Sequence, residues 1–205
     1  MAIKIQPLTK KQLSEIVECY ATVFPDWQLL DGNRLERTFG PVVQHIGFEA
    51  LRGGAYRPMG AIWALPLPTV AMLHQFLDIK YVQILPRQHV RVWRDVVGAM
   101  EKQFCPSIRK PLELLEIKGL CEQQARTTTN DLCMLAILNA YIGEREKAFI
   151  CCENMQSITT PMLAHLPEWE ERHRNFCREL QKAIETGNER QFIDAASAKA
   201  SPTSY

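Results

Sequence analysis

The sequence predicts an α+β chain, mostly helical, with a small two- or three-stranded β element in the N-terminal half packed on an antiparallel helical C-terminal half. Two observations lead there. From Pro86 onward apolar residues recur at helical spacing with short breaks. Between residues 56 and 85, proline-bracketed stretches rich in β-branched and aromatic residues replace that pattern.

The elements follow in order. PLTKKQL opens a helix at Thr9, with Gln12 placed as its capping-box partner and Leu8 able to staple to Leu13. Leu13, Ile16, Val17, Tyr20 and Phe24 continue its apolar face to Pro25. Residues 24–33 read as a turn-rich connection. Residues 40–54 read as a second helix, with Pro41 at its first position and Gly53 at its C-terminal cap. Strands are expected around 58–65 and over 78–85, and residues 69–76 fit a short helix or a middle strand equally well.

The helix over 87–104 is expected to bury Val90, Trp93, Val96, Val97, Met100 and Phe104. Pro111 opens another, running to about Gln124. The stretch 125–131 supplies caps, and two helices, 131–142 and 144–156, hinge at Gly143. Residues 158–167 connect to a long charged helix after Pro167, striped by Trp169, Phe176, Leu180, Ala183 and Ile184 and stopped by Gly187 and Asn188. A short helix over 189–195 and a frayed tail over 196–205 complete the reading. The β-containing part (1–85) and the helical part (86–195) are expected to share one core, because two strands alone do not make a stable sheet.

Bulk composition excludes several classes. Twenty-four Lys and Arg against 23 Asp and Glu leave a net charge of +1, so any polyanion partner must be held by local clustering. No run of apolar residues is long enough to span a bilayer, so no membrane contact is expected. The start MAIKIQPLTKKQL has no signal-peptide core. The seven cysteines contain no CxxC pair, so reduced thiols in a cytoplasmic protein are expected.

Local clustering does occur. RQHVRVWR (87–94) places Arg87, Arg91 and Arg94 on one helical face, with His89 between them in sequence, at a helix N-terminus that already carries partial positive charge. Lys80 precedes this stretch and Arg109 and Lys110 follow it. Residues 80–110 hold seven cations and two acids, a local charge of +5. Such a patch suits an acidic protein surface, and nucleic acid is the alternative polyanion. The absence of RNP, zinc-finger and KH patterns favours protein. An enzyme acting on an anionic small molecule through Arg87, His89 and Arg91 is the remaining alternative.

LCMLAILNAYIGEREKAFICCENM (132–155) resembles one helix–turn–helix unit of the tetratricopeptide family. Leu132, Leu135, Ala136, Gly143 and Ala148 stand at the matching offsets. The family's tyrosine position falls on Asn139 and its later aromatic on Cys152. The resemblance covers about one repeat and implies a groove for a peptide or partner helix. No second copy follows at a period near thirty-four, where a solenoid needs at least ~3 repeats, and a glycine-hinged αα-hairpin fits the same residues.

No other catalytic, cofactor or metal pattern emerges. His173 and Cys177 stand at i, i+4, with His165 upstream, but Cys177 lies in an apolar stripe and two ligands are too few. Three residues separate Cys105 from Arg109, two fewer than the phosphate-wrapping loop of cysteine phosphatases needs. GxGxxG, Walker, HExxH, GxSxG and kinase motifs are missing. The pairs Glu113/Glu116 and Glu168/Glu171 read as solubilising.

Overall fold

The structure, a computed structural model, describes residues 7–71, 73–124, 128–158 and 167–200. It contains 55% helix and 18% strand, so the chain is α+β and mostly helical, but with more strands than the sequence suggests. The helices are α1 (Lys10–Ala21), α2 (Pro86–Gln103), α3 (Leu114–Gln124), α4 (Thr129–Tyr141), α5 (Arg145–Ser157), α6 (Glu168–Glu185) and α7 (Glu189–Lys199). The strands are β1 (Gln28–Leu30), β2 (Arg34–Phe39), β3 (Val42–Ala50), β4 (Tyr56–Ala64), β5 (Leu67–Ala71) and β6 (Gln75–Phe76). They pair in the order β1-β2-β3-β4-β5, and β6 joins β4.

The expected helix over 40–54 is not formed; Val42–Ala50 within it make β3. Val42 through Phe48 are buried on both faces of the strand, so the polar alternation that marks a half-exposed strand is missing. The connection over 24–33 holds β1, which turns into β2 through left-handed Asp31 and Gly32, the backbone of a tight hairpin. Residues 78–85 are not a strand. Ile79–Tyr81 make a 3-10 turn, and Ile84 alone bridges Tyr56. Of the ambiguous stretch 69–76, residues 69–71 belong to β5 and Gln75–Phe76 form β6, while Met72 lies outside the described residues.

The chain divides into two compact units, each built from several separate segments. The first comprises Met1–Thr38, Gln44–Ile62 and Leu73–Leu112; the second comprises Phe39–Val43, Trp63–Met72 and Glu113–Tyr205. In the first unit Thr9 caps α1 as expected, its Oγ1 accepting from the Gln12 N–H at 3.2 Å while Gln12 Oε1 accepts from the Thr9 N–H. Leu13, Ile16, Val17 and Tyr20 of α1 and Val96, Val97 and Met100 of α2 pack with Leu35, Ile46, Phe48 and Tyr56 of the sheet. Sequestering these side chains from water is the main stabilising term.

A polar chain crosses this core. The Tyr20 and Tyr56 hydroxyls lie 2.9 Å apart, and Tyr56 Oη lies 2.8 Å from His89 Nδ1. Burial pushes both tyrosine pKa values up and that of His89 down, so all three groups are neutral at pH 7. Tyr56→Phe removes the shared hydroxyl and leaves Tyr20 Oη and His89 Nδ1 without it. The expected cost is about 1–3 kcal/mol, read from the urea midpoint.

In the second unit α4 is the central element, packing against α3, α5, α6 and α7, with every residue from Leu132 to Ala140 buried. Two glycine hinges share one geometry. Gly143 (φ +89°) and Gly187 (φ +76°) end α4 and α6, and the next amide reaches back at 2.8 Å, Glu144 N to Asn139 O and Asn188 N to Ala183 O. Arg145 and Glu189, just past the hinges, form an ion pair at 2.5 Å. The final helix is longer than the sequence suggests, since residues 196–199, read as tail, continue α7. His165, the caps expected at 125–127 and residues 201–205 lie outside the described residues.

Candidate functional site

The basic cluster is carried by α2. Pro86 suits the first helical position, and the Leu85 N–H donates to Gln88 Oε1 at 2.9 Å, half of a capping box. At about 100° per residue, His89, Trp93, Val96 and Met100 share one side of the helix. His89, Val96 and Met100 are buried there, and Trp93 packs partly buried against the same core. Arg87, Val90, Arg91, Arg94 and Gly98 take the opposite side. Val90 is therefore not a core residue; it is 79% exposed.

Arg87, Arg91 and Arg94 are exposed, and none makes an ion pair among the described residues. The Arg94 guanidinium lies over the Trp93 ring, 5.0 Å from its centroid. The first turn of α2 holds no acid, so the positive charge there meets no local compensation.

The remaining residues of the expected patch sit differently. His89 is 6% exposed and bound to Tyr56, on the far side of the helix from the arginines, because its phase matches Trp93 and Val96. An active site built from Arg87, Arg91 and His89 is therefore not assembled. Arg109 is occupied within its own unit: it pairs with Glu101 at 2.6 Å, lies over the Phe24 ring and donates to the Val23 carbonyl. Lys80 rests over the Tyr81 ring at 5.1 Å, and Lys110 is exposed in the loop that follows Ser107. Among the described residues, Arg87, Arg91, Arg94, Lys80 and Lys110 are exposed without an ion pair, whereas Arg109 is paired.

Comparison with family models, curated proteins and solved structures returned no match. The tetratricopeptide-like stretch does form a helical hairpin, α4–α5. Yet α4 is enclosed by its neighbours, so the groove that the resemblance implied has no open α4 face to line it.

Two further clusters escaped the sequence reading. Within the first unit, Glu36 sits between Arg34 (Nε to Oε1, 3.2 Å) and His45 (Nδ1 to Oε1, 3.2 Å), all three buried. Beside His45, the loop Cys105–Pro106–Ser107 has each carbonyl bound by a side chain: Gln75 at 2.6 Å, Gln44 at 2.8 Å and Arg37 at 2.7 Å. His45 and Cys105 line the same cavity, which at about 10 Å³ admits one water and no substrate. The alternation of Arg34 and Glu36 with Leu35 was the available signal for the first cluster. The second brings together residues thirty to seventy positions apart and leaves no local signature.

In the second unit, Cys133 and Cys177 approach to 3.4 Å between sulfurs, and hydrogen bonding to neighbouring thiols, reinforced by burial, raises the Cys152 and Cys177 pKa values. Cys152 and Cys177 are protonated and inert, filling core as small apolar groups. His173, four residues before Cys177, packs its ring against Trp169 instead.

Proposed function

We propose that the protein is a cytoplasmic, non-enzymatic interaction module that holds an acidic protein surface on the exposed face of α2. The observation that supports this reading is that three arginines without an ion pair fall on one face of one helix. Arg34, Arg109, Arg145 and Arg174 are each engaged by a carboxylate of their own chain, whereas Arg87, Arg91 and Arg94 meet none among the described residues. Three guanidiniums spaced over two turns, with Val90 beside them, match carboxylates around an apolar anchor. An overall charge near zero favours a local protein contact over a polyanion track.

The test is affinity capture with mass spectrometry at low and high salt, comparing the natural protein with R91E/R94E. Both side chains are exposed, so the double variant is expected to melt close to the natural protein, each change costing under about 0.5 kcal/mol. It is expected to lose the acidic proteins that the natural protein retains at low salt. Retention of the same proteins by the variant defeats the reading. Binding of a single-stranded oligonucleotide with a steep salt slope transfers the patch to nucleic acid. A melting shift with phosphate or nucleotides transfers it to an anionic small molecule.

A further inference from the structure

We infer that the acidic surface received by α2 is the exposed face of α3 on a second copy of this chain; this rests on the α2 reading above. Among the described residues, the two most exposed large apolar side chains are Val90 on α2, at 79%, and Leu115 on α3, at 66%. Their surroundings have opposite sign. Val90 stands among Arg87, Arg91 and Arg94. Leu115 stands among Glu113, Glu116 and Glu122, all exposed, while Lys118, one turn on, is buried and held by Glu122 and Glu144. Glu122 pairs with Lys118 at 3.4 Å, whereas Glu113 and Glu116 make no ion pair among the described residues.

Three other exposed apolar residues each lie beside a cation more exposed than Lys118. Ile150 has Lys147 one turn away, Trp169 has Arg172, and Phe76 lies under the Arg57 guanidinium. Uncompensated cations around one apolar knob and uncompensated carboxylates around another are complementary in charge and in kind.

The glycines supply an independent observation. Gly98 lies at the centre of the arginine face, and Gly119 lies one turn after Leu115. A Cβ built on either meets nothing within 4 Å apart from its chain neighbours and its own helix backbone. Each helix therefore carries a residue about 1 kcal/mol worse than alanine with no packing reason inside its own chain. Close approach of another backbone supplies one: α2 of one copy crosses α3 of the next at these glycines, with Val90 and Leu115 at the contact and the charges paired around them. A contact between unlike faces is heterologous, so association rises with concentration.

The test is sedimentation velocity of the full chain over a concentration series at low and high salt. The natural protein is expected to self-associate, more weakly at high salt. R91E/R94E and E113K/E116K are each expected to weaken self-association about tenfold or more, and an equimolar mixture of the two to associate again, because the reversed charges then face each other. Gly98→Ala and Gly119→Ala keep the test decisive should a charge-reversal variant fail to fold. Each is expected to raise the melting temperature and still weaken association. A natural protein that sediments as a monomer throughout overturns the inference, as does a mixture that fails to associate. So does association unchanged in both alanine variants. Capture of other acidic proteins through Arg91 and Arg94 by such a monomer leaves the α2 reading standing, and loss of neither self-association nor capture in R91E/R94E removes both.

Discussion

Arg174→Ala is expected to destabilise the second unit by about 3–5 kcal/mol, the range for breaking a buried ion pair from one side. The Arg174 guanidinium is buried and makes four hydrogen bonds. Two go to Glu170 Oε1, at 2.8 and 3.3 Å, one to the Gln156 carbonyl at 3.1 Å and one to the Ile158 carbonyl at 2.6 Å. The Gln156 side chain returns a bond to the Arg174 carbonyl at 3.0 Å. Arg174 thus satisfies carbonyls at the end of α5, which an α-helix leaves unpaired, and neutralises a carboxylate that is 3% exposed. Alanine removes all of this and opens a cavity. Lysine keeps the charge but not the planar fork, so Arg174→Lys should fall between alanine and the natural protein. The E170L/R174M pair, which removes both charges, should recover much of the loss. Hydrogen exchange at α5 and α6 reads these differences, and protection unchanged in Arg174→Ala contradicts the account.

Acid should loosen the same unit through His173. The ring is 1% exposed, and burial, reinforced by Arg172 and partly opposed by Glu170, lowers its pKa from 6.5 to about 4. A base with a depressed folded pKa binds protons more readily when unfolded. Its contribution is therefore complete above pH 6.5, is lost as pH falls from there toward 4, and changes no further below that. The loss over this window is about 3 kcal/mol, at ~1.4 kcal/mol for each pH unit between the two pKa values. His89 in the first unit is depressed in the same direction by burial and acts with the same sign. His173→Gln carries no titrating ring, so its urea midpoint should fall less than that of the natural protein between pH 7.5 and 4.5. Parallel curves for the two proteins would show that His173 does not contribute.

Long amphipathic helices were legible because their spacing repeats over many turns. α1 with its Thr9–Gln12 box, and the helices on either side of Gly143, lie close to where periodicity sets them. The sheet was less legible for a physical reason. β3 is buried on both faces, and β2 buries Arg34 and Glu36 by pairing them, so neither shows apolar residues inside and polar ones outside. Asp31–Gly32 was the readable hairpin signal. In α2, the arginines were visible but the histidine among them was misplaced by proximity in sequence. Its phase with Trp93, Val96 and Met100 was the better guide, and that same phase turns Val90 outward. The engagement of Arg109 by Glu101, Phe24 and Val23 depends on tertiary neighbours and could not be read locally.

The interleaving of the two units limits how the chain can be cut. The backbone passes from one unit to the other at 38/39, 43/44, 62/63, 72/73 and 112/113. A gene fragment beginning at Glu113 would carry α3 to α7 yet omit the tip between β2 and β3, where Gly40 lies under the Tyr141 ring, and the β4–β5 turn, where the Leu65 amide donates to the Pro41 carbonyl. Limited digestion at those two tips would therefore damage the helical unit while leaving every one of its helices covalently whole.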